Sequence, residues 1–189
     1  RLDKESKGNL AMRFEPTDVP PATVIELDRF TDDRGWFARG FCAREFADNG
    51  LNPTTAQTNL SFNRQRGTLR GLHFQHAPHQ ESKLIRCLRG AIYDVAVDVR
   101  PESPTHLQWV GFELTEDNGR ALYVPEGFAH GFLTLTDDVL LSYQASEFYA
   151  PGSEGGLRYD DPAIDIDWPG EVEIISDKDA AWPLLEVVR

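Results

Sequence analysis

The chain has 189 residues, of which 40% are hydrophobic, 26% charged and 11% aromatic, with 15 Gly and 12 Pro. This balance excludes a disordered, collagenous or disulfide-rich chain and predicts one folded domain. The net charge of -12 lacks the basic surface that nucleic acid or an anionic membrane requires, so neither is an expected partner. Two cysteines outside any zinc or CxxC spacing, and no apolar run near the roughly 20 residues of a membrane span, predict a cytoplasmic protein.

The amino-terminal part of the chain contains two predicted features. Residues 1–22 are polar and end in Pro20-Pro21, which predicts a flexible arm before a single domain over residues 23–189. A short helix is predicted over residues 43–48, and the following Asn49-Gly50 is a typical helix end.

From about residue 55 the sequence changes to short apolar runs separated by turn residues. The runs span residues 83–88, 91–99, 108–114, 121–124, 132–135 and 139–143. Runs of this length, with turns such as Arg89-Gly90 between them, predict an antiparallel sandwich or barrel. In the second run, alternation puts Asp94 and Asp98 on the face opposite Val95 and Val97. We expect both carboxylates to face water unless that face lines a polar cavity.

Two histidines lie among apolar residues at the edges of predicted strands. Residues 119–130 have the spacing of the second motif of cupin barrels: a Gly, five residues, Pro-x-Gly, two residues and His130. The first cupin motif supplies His-x-His and a later Glu as metal ligands, whereas this chain has His73-Phe74-Gln75 and then Glu81. A metal site needs three or more convergent donors. We therefore predict a metal-free barrel, with a metal-dependent cupin that uses His73, Glu81 and His130 as the alternative.

Proton transfer and electrostatic stabilisation remain as chemistry for a site without metal. His73 suits a general base near neutral pH if a carboxylate fixes its tautomer. Lys83, at the start of a strand, is a candidate for stabilising an oxyanion, and a solvated lysine is the alternative. Tyr143 shares a strand face with Val139 and Leu141, so it is either an inward-facing acid or a core tyrosine with a satisfied hydroxyl.

Arginines are concentrated in a few places despite the acidic total. Arg64, Arg66 and Arg70 fall within residues 61–70, and Arg34 lies in a turn at residues 32–35. The planar guanidinium group suits bidentate recognition of phosphate. The pattern indicates either a phosphorylated or nucleotide-linked small molecule or a solvated charged loop.

Taken together, these motifs resemble the dTDP-4-dehydrorhamnose 3,5-epimerase family, from about residue 23 to residue 185. The segments that carry the resemblance are DRG at 33–35, LRGLHFQ at 69–75, KLIR at 83–86, DVAVDVR at 94–100, SPT at 103–105, PEGFAHGF at 125–132, YAP at 149–151, DDP at 160–162 and SDKDA at 176–180. The resemblance implies an all-β, cupin-type jelly roll with a few short peripheral helices. It also implies a homodimer, without metal or cofactor, that acts on a dTDP-4-keto-6-deoxyhexose.

The resemblance also implies roles for individual residues. His73 matches the base of the family and Asp179 the carboxylate paired with it. Lys83 matches the lysine that faces the keto oxygen of the sugar, and Tyr143 the tyrosine that supplies a proton from the opposite face. Substrate contacts are implied for Arg34, Gln57, Asn59, Arg70, His130 and Phe148.

A ketone at C4 explains why these groups suffice. It acidifies the hydrogens on C3 and C5, because the carbanion is delocalised onto O4 as an enolate, so a base, an acid and a cation are enough. The implied activity is inversion at both carbons in the biosynthesis of dTDP-rhamnose or a related deoxysugar. The alternatives are an epimerase that inverts one carbon of a related nucleotide sugar and a non-catalytic sugar-binding barrel.

The sequence departs from the family pattern at three positions. Gln144 stands where many members have Lys, Arg39 where a Glu is common, and Phe148 in place of the first of two tyrosines. The four residues with implied catalytic roles are all present. These departures therefore bear on the identity of the sugar more than on the chemistry.

Overall fold

The computed structural model describes residues 11–185, which form thirteen strands and two short helices. In chain order the elements are β1 (Met12–Pro16), β2 (Thr23–Leu27), β3 (Phe30–Asp32), β4 (Gly35–Phe37), α1 (Ala43–Asp48), β5 (Gln57–Asn63), β6 (Leu69–Gln75), β7 (Lys83–Arg89), β8 (Ala91–Asp98), β9 (Trp109–Thr115), β10 (Ala121–Val124), β11 (Phe128–Thr134), β12 (Val139–Ala145), β13 (Glu154–Gly156) and α2 (Asp177–Ala180). Among these residues no helix has the length and apolar character needed to cross a membrane.

The strands form two antiparallel sheets and one separate hairpin. The first sheet has six strands in the order β1-β2-β10-β7-β12-β5, and the second has five in the order β13-β6-β11-β8-β9. From β5 onward the chain changes sheet at every connection except that between β8 and β9. This alternation between two facing sheets is a jelly roll, so the predicted all-β jelly roll with short peripheral helices is confirmed.

The interior between the two sheets changes from apolar to polar along its length. Alternation within β7 sends Cys87 and Ile85 into the interior, where they are 2% and 1% exposed. On β12, Leu141 pairs with Cys87 and belongs to the same cluster. Burial of each large aliphatic side chain stabilises the fold by about 1.5–3 kcal/mol. The next interior positions are Lys83, two residues before Ile85 on β7, and Tyr143, two residues after Leu141 on β12. There the apolar core gives way to a cavity.

The outer faces of both sheets are covered. Helix α1 packs Phe46 against Tyr123 of the six-stranded sheet, with the ring centroids 5.9 Å apart. The helix ends as predicted, because Gly50 adopts a φ of 74° and the Leu51 N–H reaches back to the Phe46 carbonyl at 2.9 Å. A later segment, residues 157–168, packs apolar side chains against the outer face of β8.

The predicted flexible arm is wrong for residues 12–22. Strand β1 pairs with β2 from Met12↔Leu27 to Pro16↔Thr23 and forms the edge of the six-stranded sheet. Met12 is 5% exposed, and its N–H donates to Glu45 of helix α1 at 2.9 Å. The segment looked polar because an edge strand exposes half of its side chains to water. Residues 1–10 of the predicted arm lie outside the described residues.

The prediction that Asp94 and Asp98 face water is also wrong, because both are fully buried. Asp98 accepts hydrogen bonds from Arg100, Ser103 and Thr105 at 2.5–2.8 Å. Burial acts to raise the pKa of Asp98, but these hydrogen bonds prevail and hold the pKa well below its usual range. A carboxylate is buried when such partners replace water, and alternation alone does not reveal them.

Candidate active site

A cavity of about 740 Å³ opens where the interior becomes polar. Its walls come from β5, β6, β7, β11 and β12, and the segment 174–179 completes them. The ionisable and hydroxyl side chains in the lining are Ser61, Thr68, Arg70, His73, Lys83, His130, Tyr143, Ser176, Lys178 and Asp179. Six of the ten residues predicted for the site therefore share one cavity.

Two glycines allow β6 and β11 to approach closely beside this cavity. A Cβ on Gly71, which has a φ of 126°, would lie 2.6 Å from the Gly131 Cα and 2.7 Å from the His130 carbonyl oxygen. The ladder shifts register between His130 and Phe132 at this point. As a result His73 and His130 are paired within the two strands, rather than at strand edges as the sequence predicted.

His73 forms a hydrogen-bonded pair with Asp179. The distance from His73 Nε2 to Asp179 Oδ1 is 2.7 Å, and Asp179 Oδ2 accepts the Gly71 N–H at 3.1 Å. Ser176 caps helix α2 by accepting the Asp179 N–H at 3.1 Å, which fixes the carboxylate. Since a carboxylate accepts the Nε2–H, Nδ1 is left unprotonated and able to take a proton.

The surroundings of His73 favour its neutral form. Burial lowers the pKa of His73, and the hydrogen bond and charge of Asp179 only partly oppose this effect. The His73 side chain is 38% exposed, while that of Asp179 is 6% exposed. The histidine of the pair is therefore partly open to the cavity, while its carboxylate partner is sheltered from water.

Lys83 and Tyr143 approach the cavity from neighbouring strands of the other sheet. Lys83 opens β7 and forms an ion pair with Glu81, with 3.1 Å between Nζ and Oε1. Tyr143 lies on β12 opposite Ile85, and its hydroxyl has a raised pKa because of burial and the charge of Glu81, with Arg70 opposing. A cation and a protonated phenol thus face the same space as the histidine.

His130 has a buried carboxylate of its own. The distance from His130 Nε2 to Asp94 Oδ1 is 2.8 Å, and Asp94 is fully buried. Burial raises the pKa of Asp94, with the charge of His130 opposing. The sequence drew attention to both residues but not to their pairing, because the contact joins two different strands of the sheet.

Arg70 is the arginine of the 61–70 segment that reaches the cavity. Its Nε donates to Asn63 Oδ1 at 2.7 Å, and Asn63 is 2% exposed. Arg64 and Arg66 are exposed and outside the cavity lining. Asn63 was missed in the sequence, although it shares a strand face with Asn59.

Four predicted substrate-contacting residues do not line the cavity. Arg34 lies in the turn of the β3–β4 hairpin, where it is ion-paired with Asp32. Gln57 accepts the Tyr149 N–H at 3.1 Å. The other two are Asn59, which pairs with Tyr143 in the β5–β12 ladder, and Phe148, which is 62% exposed.

The alternative of a metal-dependent cupin requires His73, Glu81 and His130 to converge. Within residues 11–185, no group of three or more His, Cys, Asp or Glu side chains is placed to hold a metal ion. Glu81 instead contacts Lys83. The prediction of a metal-free site stays a prediction.

The two facing sheets form a cupin-type jelly roll, and its cavity brings together a carboxylate-paired histidine, a lysine and a tyrosine. Comparison with known proteins agrees with this class. The model of the dTDP-4-dehydrorhamnose 3,5-epimerase family matches residues 16–187. The chain belongs to this family, so the predicted resemblance and the predicted isomerase class are confirmed.

Individual relatives match over nearly their whole length. A protein from Methanothermobacter thermautotrophicus named dTDP-4-dehydrorhamnose 3,5-epimerase is 46% identical over 178 residues, which cover 92% of this chain and 95% of the relative. The structure of the Bacillus anthracis enzyme of that name, with TDP and PPi bound, is 42% identical with a TM-score of 0.89, covering 93% and 100% of the two chains. A 3'-monoepimerase from Streptomyces bikiniensis, in complex with dTDP-quinovose, is 35% identical with a TM-score of 0.84, covering 90% and 86%.

Proposed function

We propose that this protein is a cofactor-independent epimerase that inverts C3 and C5 of a dTDP-4-keto-6-deoxyhexose, in the biosynthesis of dTDP-rhamnose or a related deoxysugar. The observation that carries the proposal is the His73–Asp179 pair, at 2.7 Å, facing the same cavity as Lys83 and Tyr143. The family and the relatives' names support the substrate class.

The proposed reaction moves protons without any redox step. His73 Nδ1 takes the proton from C3 or C5, and the electrons of the broken C–H bond move onto O4 to give an enolate. The Lys83 ammonium stabilises the negative charge on O4. Tyr143 then donates its hydroxyl proton to the opposite face of the same carbon, which reforms the C–H bond with inversion. Exchange with solvent returns the proton to Tyr143 and removes it from His73.

The charges around the cavity suit a nucleotide-linked sugar. Arg70 is held by Asn63 at the cavity, where its guanidinium is available to a phosphate oxygen. His130, supported by Asp94, contacts the sugar from β11. The remaining proposed substrate contacts are Arg34, Gln57, Asn59 and Phe148.

We also propose that the protein works as a homodimer, in the cytoplasm. The β3–β4 hairpin exposes Trp36 and Phe37 by 54% and 62%, and the edge strand β5 exposes Leu60 by 68%. Exposed apolar surface of this kind marks an interface with another chain. A dimer that covers the hairpin gives Arg34 a route to the cavity of the partner subunit. Sedimentation of the variant with Trp36→Ala and Phe37→Ala tests this, since a dimeric wild type and a monomeric variant are expected.

Solvent exchange at the two carbons tests the proposed activity. The protein is incubated with dTDP-4-keto-6-deoxyglucose in deuterated water, and NMR follows deuterium at C3 and C5. The expected result is exchange at both carbons, lost in His73→Asn and retained in the control His76→Asn, because His76 is exposed and outside the cavity lining. Absence of exchange at both carbons in the wild type would overturn the proposal.

The second candidate function is inversion at a single carbon. The similarity to the S. bikiniensis 3'-monoepimerase favours it. Exchange at one carbon alone would select this candidate. A metal-dependent cupin predicts stoichiometric bound metal in the purified protein, and a sugar-binding barrel predicts ligand binding without exchange.

A further inference from the structure

Lys83 forms a largely buried ion pair with Glu81, a residue that has no role in the proposed reaction. The side chains are 13% and 12% exposed, and Nζ lies 3.1 Å from Oε1. Two charges withdrawn from water to this extent cost desolvation energy, and only a close, well-oriented contact repays that cost. Because the Lys83 ammonium is held at this distance from the Glu81 carboxylate, the ion pair constrains where the ammonium lies on the cavity wall.

The backbone that carries Glu81 is fixed to the strand that carries Tyr143. Next to Glu81, the Ser82 N–H donates to Ser146 Oγ at 2.8 Å, and the Ser146 N–H donates to the Ser82 carbonyl at 3.0 Å. Ser82 is 4% exposed. These reciprocal hydrogen bonds join the start of β7 to the end of β12. Glu81, Lys83 and Tyr143 therefore belong to one rigid part of the cavity wall.

We propose that Glu81 is a positioning residue, which holds the Lys83 ammonium against the cavity wall and places a fixed negative charge near the Tyr143 hydroxyl. This inference rests on the proposed function for its catalytic meaning. The fixed charge adds to the effect of burial in raising the pKa of Tyr143, which favours the protonated form that an acid requires, while Lys83 keeps the position from which it stabilises an enolate. Glu81 acts through these two side chains and is absent from the cavity lining.

Several groups besides Glu81 affect the pKa of the Tyr143 hydroxyl. Burial raises the pKa of Tyr143 first, the charge of Glu81 raises it further, and Arg70 on β6 lowers it. The other titratable groups facing the cavity from the elements around Tyr143 are Lys83 on β7, His73 on β6, His130 on β11 with Asp94 behind it, and Lys178 and Asp179 on α2. Removal of Glu81 takes away one of the two effects that raise the pKa of Tyr143 and leaves the opposing charge of Arg70, so the pKa of Tyr143 is expected to fall.

Titration of Tyr143 in the folded protein tests this directly. The protein contains five tyrosines, so 3-fluorotyrosine labelling gives a small set of ¹⁹F resonances, and Tyr143→Phe identifies the one from Tyr143. Fluorination also lowers the pKa of a phenol and brings the titration to milder pH. In Glu81→Gln the Tyr143 midpoint is expected at lower pH than in the wild type. The control Glu102→Gln, on an exposed loop, is expected to leave the midpoint unchanged.

The conservative variant separates charge from structure. Glu81→Asp keeps the negative charge, so its Tyr143 midpoint is expected to stay near that of the wild type. In the exchange assay, Glu81→Gln is expected to lower kcat about tenfold with little change in KM, and to move the alkaline loss of kcat to lower pH. An unchanged Tyr143 midpoint in Glu81→Gln would overturn the inference. An inactive wild type would instead refute the proposed function, and the titration would still decide the link between Glu81 and Tyr143.

Discussion

Gly71 and Gly131 face each other across β6 and β11 with no space for a side chain between them. A Cβ on Gly131 would lie 2.8 Å from the Arg70 carbonyl oxygen and 2.7 Å from Leu72 Cδ2. The contact places His73 beside His130 and directs the Gly71 N–H to Asp179. The geometry of the proposed base thus depends on two residues that carry no functional group.

Substitution of Gly131 tests this dependence. Gly131→Ala forces the two strands apart at a backbone contact, and we expect the free energy of unfolding to fall by about 1–3 kcal/mol. Exchange activity is expected to fall further than stability explains, because His73 and Asp179 are displaced. Urea unfolding and the exchange assay measure both effects. Gly170→Ala is the control, since its Cβ would meet Leu133 Cδ2 at 3.8 Å, an ordinary contact.

The pH dependence of activity follows from the neutral state of His73. Because burial lowers the pKa of His73 against the opposing effect of Asp179, kcat/KM is expected to fall with acid only below the usual histidine value of about 6.5. Asp179→Asn removes the opposing charge, so the acid limb moves lower still while kcat drops about 10²-fold or more through loss of the tautomer. Rate profiles and ¹⁵N NMR of the imidazole check these outcomes. An acid limb that moves to higher pH in Asp179→Asn would contradict them.

The free energy of unfolding is expected to depend on the protonation of His73 in the same direction as the activity, so it falls in acid. The unfolded chain takes up a proton near pH 6.5, whereas folded His73 resists protonation until lower pH. The unfolded state therefore binds more protons in this window, so this residue's contribution to stability is lost as pH falls below about 6.5.

Asp98 is expected to dominate the acid stability of the loop that follows β8. Asp98→Asn removes the charge that Arg100, Ser103 and Thr105 surround, and we expect a loss of about 2–4 kcal/mol in the free energy of unfolding. Since the folded pKa of Asp98 is depressed, its contribution is present above the unfolded value of about 3.9 and is lost as pH falls. Urea unfolding at neutral and acid pH measures this. The exposed turn residue Asp117 provides the control Asp117→Asn, and equal losses in the two variants would contradict the assignment.

Arg70 is expected to determine the affinity of the protein for the nucleoside diphosphate. Arg70→Lys keeps the charge but loses the fork that Asn63 orients, so the Kd for dTDP is expected to rise about tenfold. The change in kcat is expected to be small because Arg70→Lys keeps the positive charge at the cavity. Calorimetry with dTDP measures the affinity, and the exposed Arg64 provides the control Arg64→Lys. Equal affinities for Arg70→Lys and the wild type would remove Arg70 from the site.

The sequence predicted the β-rich fold and the helix at Ala43–Asp48 because those signals are local. Apolar alternation predicts strands, and Asn49-Gly50 predicts a helix end. It did not predict β1, since an edge strand exposes half of its residues. The partners of the buried carboxylates were also missed. Asp94 meets His130 across a ladder and Asp98 meets a loop that folds back, and neither contact has a periodic signature.

The sequence identified some residues of the candidate site and missed the contacts of others. Motif positions identified His73, Lys83, Tyr143 and Asp179, and the structure places all four at one cavity. The contact of Glu81 with Lys83 was missed because Glu81 was considered only as a metal ligand. Arg34 lies outside the cavity lining, on the β3–β4 hairpin, although the family resemblance implied a substrate contact for it.

The central claim is that His73 removes a proton on one face and Tyr143 returns one on the other. The most direct measurement compares deuterium exchange with inversion in Tyr143→Phe, in deuterated water, by NMR of the nucleotide sugar. We expect exchange at C3 and C5 to continue while inversion falls at least tenfold, because the base remains and the opposite acid is lost. His73→Asn is expected to lose both. Inversion at the wild-type rate in either variant would contradict the account.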